Sequence, residues 1–269
     1  MTSKQQSTNS ASNKMLKRCL RMLELRLHFG KITIGDDMEV SLDGRRLPSK
    51  PRLLKDLAKV LMAPQVLDMI GGSTVLYKMC RDAVHEKDAP AFRKHAVRFD
   101  ITVISPIALG DEYNKTLGHY HPEAAKGLTY PELYQVLSGQ AIFLLQRQEG
   151  GRITEFRIME ANAGDAVLIP PNFGHVTVNP GDDLLVLSNL VSSSFESIYG
   201  DYISKRGAAY YVLKGKRVIP NPEYVQPPPP KRSGTRYPIS KDLYSDFISC
   251  PRCFSFLNDP SAIADRFLI

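Results

Sequence analysis

Apolar positions change their period twice along this chain. From Met15 to Phe29, Leu16, Leu20, Leu23 and Leu27 recur at helical spacing with basic residues between them, which predicts an amphipathic helix lying against a larger body. Residues 31–50 break into short strand-like pieces around the turn residues Asp43-Gly44. A second helical stretch is predicted from Leu53 to Met69, interrupted by Pro64 and stopped by Gly71-Gly72. After about residue 96 the texture becomes short β-branched and aromatic runs separated by Gly, Pro, Asn and Asp, such as the stretches beginning at Phe99, Glu132, Ala141 and Ala166. Strands this short and this evenly spaced predict an antiparallel sandwich or barrel rather than parallel βαβ units.

The expected division is therefore a polar, disordered tail over 1–13, a helical N-terminal extension over 14–87, a β-barrel over 88–222 and an irregular tail over 223–269. That tail opens with Pro227 to Pro230, a polyproline spacer, and holds Cys250-Pro251-Arg252-Cys253. A zinc ribbon needs a second half-site, which is missing beyond residue 222, so these cysteines are expected as two thiols without a metal.

Composition narrows the partners. A net charge of +7 suits an anionic ligand, and no nucleic-acid-binding motif accompanies it. No run approaches the eighteen or so apolar residues of a membrane span, and residues 1–13 hold no apolar segment like that of a secretory signal. Four cysteines, two of them solitary (Cys19 and Cys80), do not form a secreted disulfide framework, which points to a reducing, cytoplasmic setting.

The chemistry concentrates between Thr116 and Leu145. His119 and His121 stand two apart, so in an extended segment both imidazoles face one point. Glu132 follows, and the later run from Gly164 to Asn179 supplies His175. One histidine pair could simply flank a strand. Three imidazoles and a carboxylate inside Gly/Pro-framed strand pairs instead suit one divalent transition metal, with N and O donors that do not choose among Fe, Zn, Ni, Mn and Co.

With those residues in place, the sequence resembles the cupins, through G…HxH…E…G at Gly118–Gly139 and a second motif from Gly164 through Pro170 and His175 to Asn179. The strings TLGHYH and ELYQVLSG bring it nearest to the archaeal-type glucose-6-phosphate isomerases over roughly residues 88–222. The resemblance implies a mainly β fold with a cupin (double-stranded β-helix, or jelly-roll) barrel, a metal held by His119, His121, Glu132 and His175, and isomerisation of a phosphorylated hexose either by Glu132 moving a proton between C1 and C2 or by direct hydride transfer with only the metal assisting. It places Thr102, Thr116, Gly118 and Tyr134 at phosphate contacts and Tyr199 at a later substrate position, and it implies a homodimer. Asn172 stands where many cupins have Gly, and the gap from His121 to Glu132 is long, with Pro122, Gly127 and Pro131 marking a loop. Ser197 replaces a histidine of similar family members. Lys115 and Arg206 read as surface charges. Two other functions suit the same ligands: another cupin enzyme such as a dioxygenase, and a non-catalytic sugar-phosphate-binding cupin.

Overall fold

Residues 22–262 are described by a computed structural model of the protein, and at its start alternation wins over helical spacing. Leu23, Leu25 and Leu27 are half-buried while Glu24 and Arg26 face solvent, and the segment is strand β1 (Leu23–Leu27), not a helix. The leucines at 23 and 27 satisfy both periods. What decides between them is the partner β2 (Gly30–Ile34), whose fully buried Ile32 and Ile34 complete an antiparallel pair running from Leu23↔Ile34 to Leu27↔Gly30. Residues 15–21 of the predicted helix, Cys19 and the 1–13 tail lie outside the described residues.

Two further strands, β3 (Val40–Leu42) and β4 (Arg45–Arg46), complete a four-stranded sheet. Asp43 and Gly44 join them at φ 48° and 81°, the left-handed pair that a tight hairpin requires. Beyond β5 (Lys50–Leu53), the helix predicted over 53–69 reduces to single turns at Leu54–Leu57 and Val66–Ile70 on either side of Pro64. β6 (Val75–Cys80) follows. Over its described residues the extension expected to be helical thus holds more strand than helix, because its apolar residues find sheet partners.

The central body runs through β7 (Val97–Ile104), β8 (Asn114–Lys115), β9 (Glu123–Ala125), β10 (Leu128–Thr129), β11 (Glu132–Ser138), β12 (Gln140–Glu149), β13 (Arg152–Asn162), β14 (Ala166–Ile169), β15 (Phe173–Asn179) and β16 (Leu185–Ser192). One sheet carries the order β14-β11-β16-β7 and the other β13-β12-β15-β8, the alternation between sheets of a jelly roll. β9 and β10 form a separate hairpin. The first sheet does not stop at β7: β6 pairs with it (Met79↔Thr102) and β5 pairs with β6 (Arg52↔Tyr77). A boundary at residue 88 would cut through this hydrogen-bonded sheet, which begins at Lys50.

The tail is likewise more regular than expected. Lys231–Arg232 adds in parallel to β13 and Thr235–Arg236 pairs with β14, so the segment after the prolines is tied to both sheets. A helix over Leu243–Ser249 then starts at Asp242, whose carboxylate accepts from the Ser245 N–H at 2.7 Å. Its Phe247, with Phe254, Phe256 and Leu257 beyond it, packs with Ile32, Ile34, Phe99 and Leu133 on the outer face of the seven-stranded sheet. Each such side chain contributes roughly 1.5–3 kcal/mol by leaving water. Where the helix passes into a 3-10 segment, Cys250 and Cys253 come to a Cα separation of 5.4 Å and are joined as a disulfide rather than standing as two thiols. Cys80 is free and buried, and burial pushes its thiol up to about 12.

Lys115 also departs from expectation. It is buried with Glu112, to which its ammonium is ion-paired, and it donates to the Val60 carbonyl at 2.7 Å and lies 4.8 Å from the Tyr211 ring centroid. Those partners replace the water that a surface lysine would keep. Arg206 is exposed, as expected.

Candidate metal centre

The four predicted ligands arrive from three places in the fold and meet between the two sheets. His119 and His121 lie on the extended segment after β8, Glu132 opens β11, and His175 sits within β15. Reciprocal backbone hydrogen bonds couple His119 to His175, at 3.2 and 3.0 Å, so the two imidazoles share one level. Between the pair, Tyr120 points the other way, where its hydroxyl accepts from Gln146 at 2.8 Å. The long gap before Glu132 is the β9–β10 hairpin, turning at Lys126 and Gly127 with φ 53° and 76°. Asn172 takes the left-handed turn position at φ 68°, which asparagine tolerates. Its side chain accepts from Thr129 N–H at 3.0 Å, and its own N–H donates to the Thr129 hydroxyl at 2.7 Å, fastening the inserted hairpin beside the centre.

One nitrogen or oxygen from each of His119, His121, Glu132 and His175 lies within 4.8 Å of all the others. His121 Nδ1–H donates to the Tyr130 carbonyl at 2.8 Å, which fixes the tautomer and leaves Nε2 with a lone pair. That Nε2 stands 3.1 Å from His119 Nε2 and 3.4 Å from Glu132 Oε2, while His175 Nε2 is 3.3 Å from the same oxygen. Asn189 donates to Glu132 Oε1 at 2.7 Å, whereas buried Oε2 has no hydrogen-bond partner among the described residues. The lone pair of His121 Nε2 turned toward a carboxylate oxygen without a donor is costly in a buried place unless a cation lies between them, so the donor set fits a divalent transition metal.

The electrostatics agree. Burial, reinforced by His175 and His121, holds His119 well below the usual histidine range, and burial lowers His175 against the pull of Glu132. Burial alone would raise Glu132, but the imidazoles of His121 and His175 outweigh it and keep the carboxyl well below its usual range. Neutral imidazoles and an ionised carboxylate are the forms that ligate. A pH dependence follows. As pH falls from neutrality through the ordinary histidine value of about 6.5, the unfolded chain takes up protons that folded His119 and His175 refuse, so stability declines. Glu132 adds its loss only at lower pH, and Asp100, raised to about 6 by burial against the pull of Arg98, opposes the trend as a single group. Thermal melts of metal-free protein at pH 7.5 and 5.5 should show the lower midpoint at 5.5; equal midpoints would contradict the assignment.

A cleft of about 310 Å³ opens from the centre along the inner face of the seven-stranded sheet. Thr102, Tyr134 and Tyr199 stand in its wall, as does Ser197. Tyr134 places its hydroxyl 3.2 Å from His175 Nε2, and the Tyr199 ring lies 5.5 Å from the His119 ring. Thr116 and Gly118 do not line the cleft: Thr116 Oγ1 accepts from Thr177 N–H at 3.0 Å, and Gly118 packs beneath Tyr202 and Val176. Nothing in the linear pattern points to Asn189 or to the charged residues Lys50, Arg52, Arg81, Arg98 and Asp100, all of which line the cleft. Alternation puts Lys50 with Arg52, and Arg98 with Asp100 and Thr102, on one face of their strands. Only the pairing of β5 with β6, and of β6 with β7, brings those faces together.

Known proteins resemble this chain. The glucose-6-phosphate isomerase of Thermococcus litoralis is 31% identical over 156 residues, covering 57% of this chain and 74% of that protein. The enzyme of the same name from Thermococcus onnurineus is 28% identical over 201 residues, 72% of this chain and 97% of its own. Among solved structures, an oxalate decarboxylase of Bacillus subtilis covers 45% of this chain and 27% of its own with a TM-score of 0.34 and 20% identity. Among the described residues no helix is long and apolar enough to cross a membrane. The sequence model of the glucose-6-phosphate isomerase (GPI) family matches residues 51–226, from the strand that carries Arg52 to the end of the barrel, and the chain belongs to that family.

Proposed function

We propose that this protein interconverts glucose 6-phosphate and fructose 6-phosphate, with His119, His121, Glu132 and His175 holding one divalent metal, drawn from Fe, Zn, Ni, Mn or Co. The observation that carries the reading is the convergence of four candidate ligand atoms in a cleft lined by Lys50, Arg52, Arg81 and Arg98 together with Asp100 and Glu196. When bound, such an ion supplies Lewis-acid polarisation of the sugar's carbonyl oxygen.

The protein's own groups account for the rest. Asn189 pins Glu132 Oε1, so Oε2 keeps one orientation beside the imidazoles of His121 and His175. Held below its usual range, Glu132 is ionised at neutral pH and able to take the proton from C2 and return it at C1. Burial and then the charge of Glu132 push the Tyr134 hydroxyl well above its usual range, so it stays protonated and available to donate to a substrate oxygen. Phe195 stacks 4.6 Å from Tyr130 and 4.4 Å from the His121 ring and shields one side of the centre from water. Thr102 and Tyr199 contact the sugar phosphate from the wall, and Thr116 and Gly118 hold the segment that delivers His119. The cytoplasm as its location and a homodimer as its assembly belong to the same reading, supported by the family resemblance.

The test is purified protein loaded separately with each of the five metals and given fructose 6-phosphate, with glucose 6-phosphate as the expected product, in air and without oxygen alike. Mannose 6-phosphate as a second product would show that the site does not select the C2 epimer. No turnover with any metal would reject the isomerase reading.

A further inference from the structure

The cleft continues past the metal ligands onto strands that precede the barrel. Registers Arg52↔Tyr77, Tyr77↔Ile104 and Met79↔Thr102 put Arg52 and Thr102 on the same inner face, and both line the cleft. The guanidiniums there are not equivalent. Arg98 is committed: its Nε donates to both oxygens of Asp100, at 2.9 and 2.8 Å. Arg52 reaches the Tyr77 hydroxyl, yet its Nε is buried and has no hydrogen-bond partner among the described residues. A buried guanidinium N–H left without an acceptor is costly, and a planar fork of donors matches the oxygens of a phosphate.

The spacing suits this as well. The Tyr199 ring stands 5.5 Å from the His119 ring and 5.9 Å from the Arg52 guanidinium, so the two are separated by no more than about 11 Å. An opened six-carbon sugar built from bonds of about 1.5 Å, carrying phosphate on its last carbon, is long enough to bridge such a gap. With C1 and C2 at the metal ligands, its phosphate reaches the end of the cleft where Arg52 lies.

We infer that Arg52, on the strand added before the barrel, joins Thr102 and Tyr199 in seating the substrate's phosphate and supplies the charge by which the enzyme selects phosphorylated sugars, an assignment that rests on the isomerase reading for the substrate's identity. The phosphate seat is then incomplete without the strand that carries Arg52.

The test compares metal-loaded wild type, Arg52→Gln and Arg52→Lys. Because the phosphate does not react, Arg52→Gln is expected to raise KM for fructose 6-phosphate by about 30- to 100-fold with kcat changed by less than about 3-fold. Arg52→Lys, keeping the charge without the fork, falls between. Turnover of unphosphorylated fructose should be the same in all three, as should metal content. Inorganic phosphate, titrated by calorimetry, should bind wild type at least 10-fold more tightly than Arg52→Gln. An unchanged KM with unchanged phosphate affinity overturns the assignment, and so does an equal loss toward fructose and fructose 6-phosphate. The phosphate titration decides the role of Arg52 even if wild type fails to isomerise fructose 6-phosphate, an outcome that rejects the isomerase reading separately. If Arg52→Gln does not fold, Arg52→Lys carries the comparison, with a rise in KM supporting the assignment and none overturning it.

Discussion

Replacing Glu132 with Gln is expected to lower kcat for fructose 6-phosphate by about two to four orders of magnitude, the range that general base catalysis supplies. The change is nearly isosteric, so Asn189 can still donate to the remaining oxygen, and the fold should melt near the wild-type temperature. What disappears is the charge on Oε2, the atom that stands 3.4 Å from His121 Nε2 and 3.3 Å from His175 Nε2. An amide N–H₂ in that place turns donors toward the centre, so metal affinity should fall together with activity. Glu132→Asp separates the two roles. It keeps a carboxylate but draws it back by one methylene, so it should retain more metal than Glu132→Gln while remaining slow, because proton transfer depends on placement within a fraction of an ångström. Metal content by elemental analysis, measured beside kcat, reads both effects. Near-native turnover in Glu132→Gln with metal bound would reject Glu132 as the proton carrier.

The second large effect is structural and acts one residue away from a ligand. Gly118→Ala is expected to destabilise the protein by about 2–4 kcal/mol, combining left-handed backbone strain with overpacking. Gly118 has φ 83°, and a Cβ there would sit 2.6 Å from Val176 Cγ2 and 2.7 and 2.8 Å from carbons of the Tyr202 ring. Tyr202 is fully buried and Val176 lies inside β15, so neither can withdraw without moving its neighbours. Any shift of the backbone at Gly118 displaces His119, so metal affinity should drop as well. Gly127→Ala is the matched control: φ is 76°, but nothing lies within 4 Å of the added carbon, so only the strain remains, about 1 kcal/mol. Urea denaturation of the three proteins checks the ranking. Equal midpoints for the two variants would show that the contact with Tyr202 is not binding on the fold.

The same residue shows how far sequence reasoning reached. Gly118 was legible as part of a motif, but the motif does not reveal why glycine is needed; the reason is the ring of Tyr202, more than eighty positions later. Asn172 behaves alike. Its departure from glycine reads as an altered turn, while its hydrogen bonds to Thr129 follow only once the inserted hairpin lies beside it.

By itself, the sequence determined which four side chains could gather as ligands and that the fold is mainly β, because both rest on local rules. Residues two apart in an extended segment must face the same way, as His119 and His121 do, and short β-branched runs between turn residues have few ways to bury themselves other than antiparallel sheets. It could not determine the state of Leu23–Leu27, whose leucines fit a helix and a strand equally until Ile32 and Ile34 lie opposite them. Nor could it show that Lys115 is buried against Glu112, that Cys250 and Cys253 meet, or that Lys50 and Arg52 join a floor with Arg98 and Thr102. Those outcomes depend on which strand pairs with which, and strand pairing is a contest among distant segments that is settled only when the whole chain is packed.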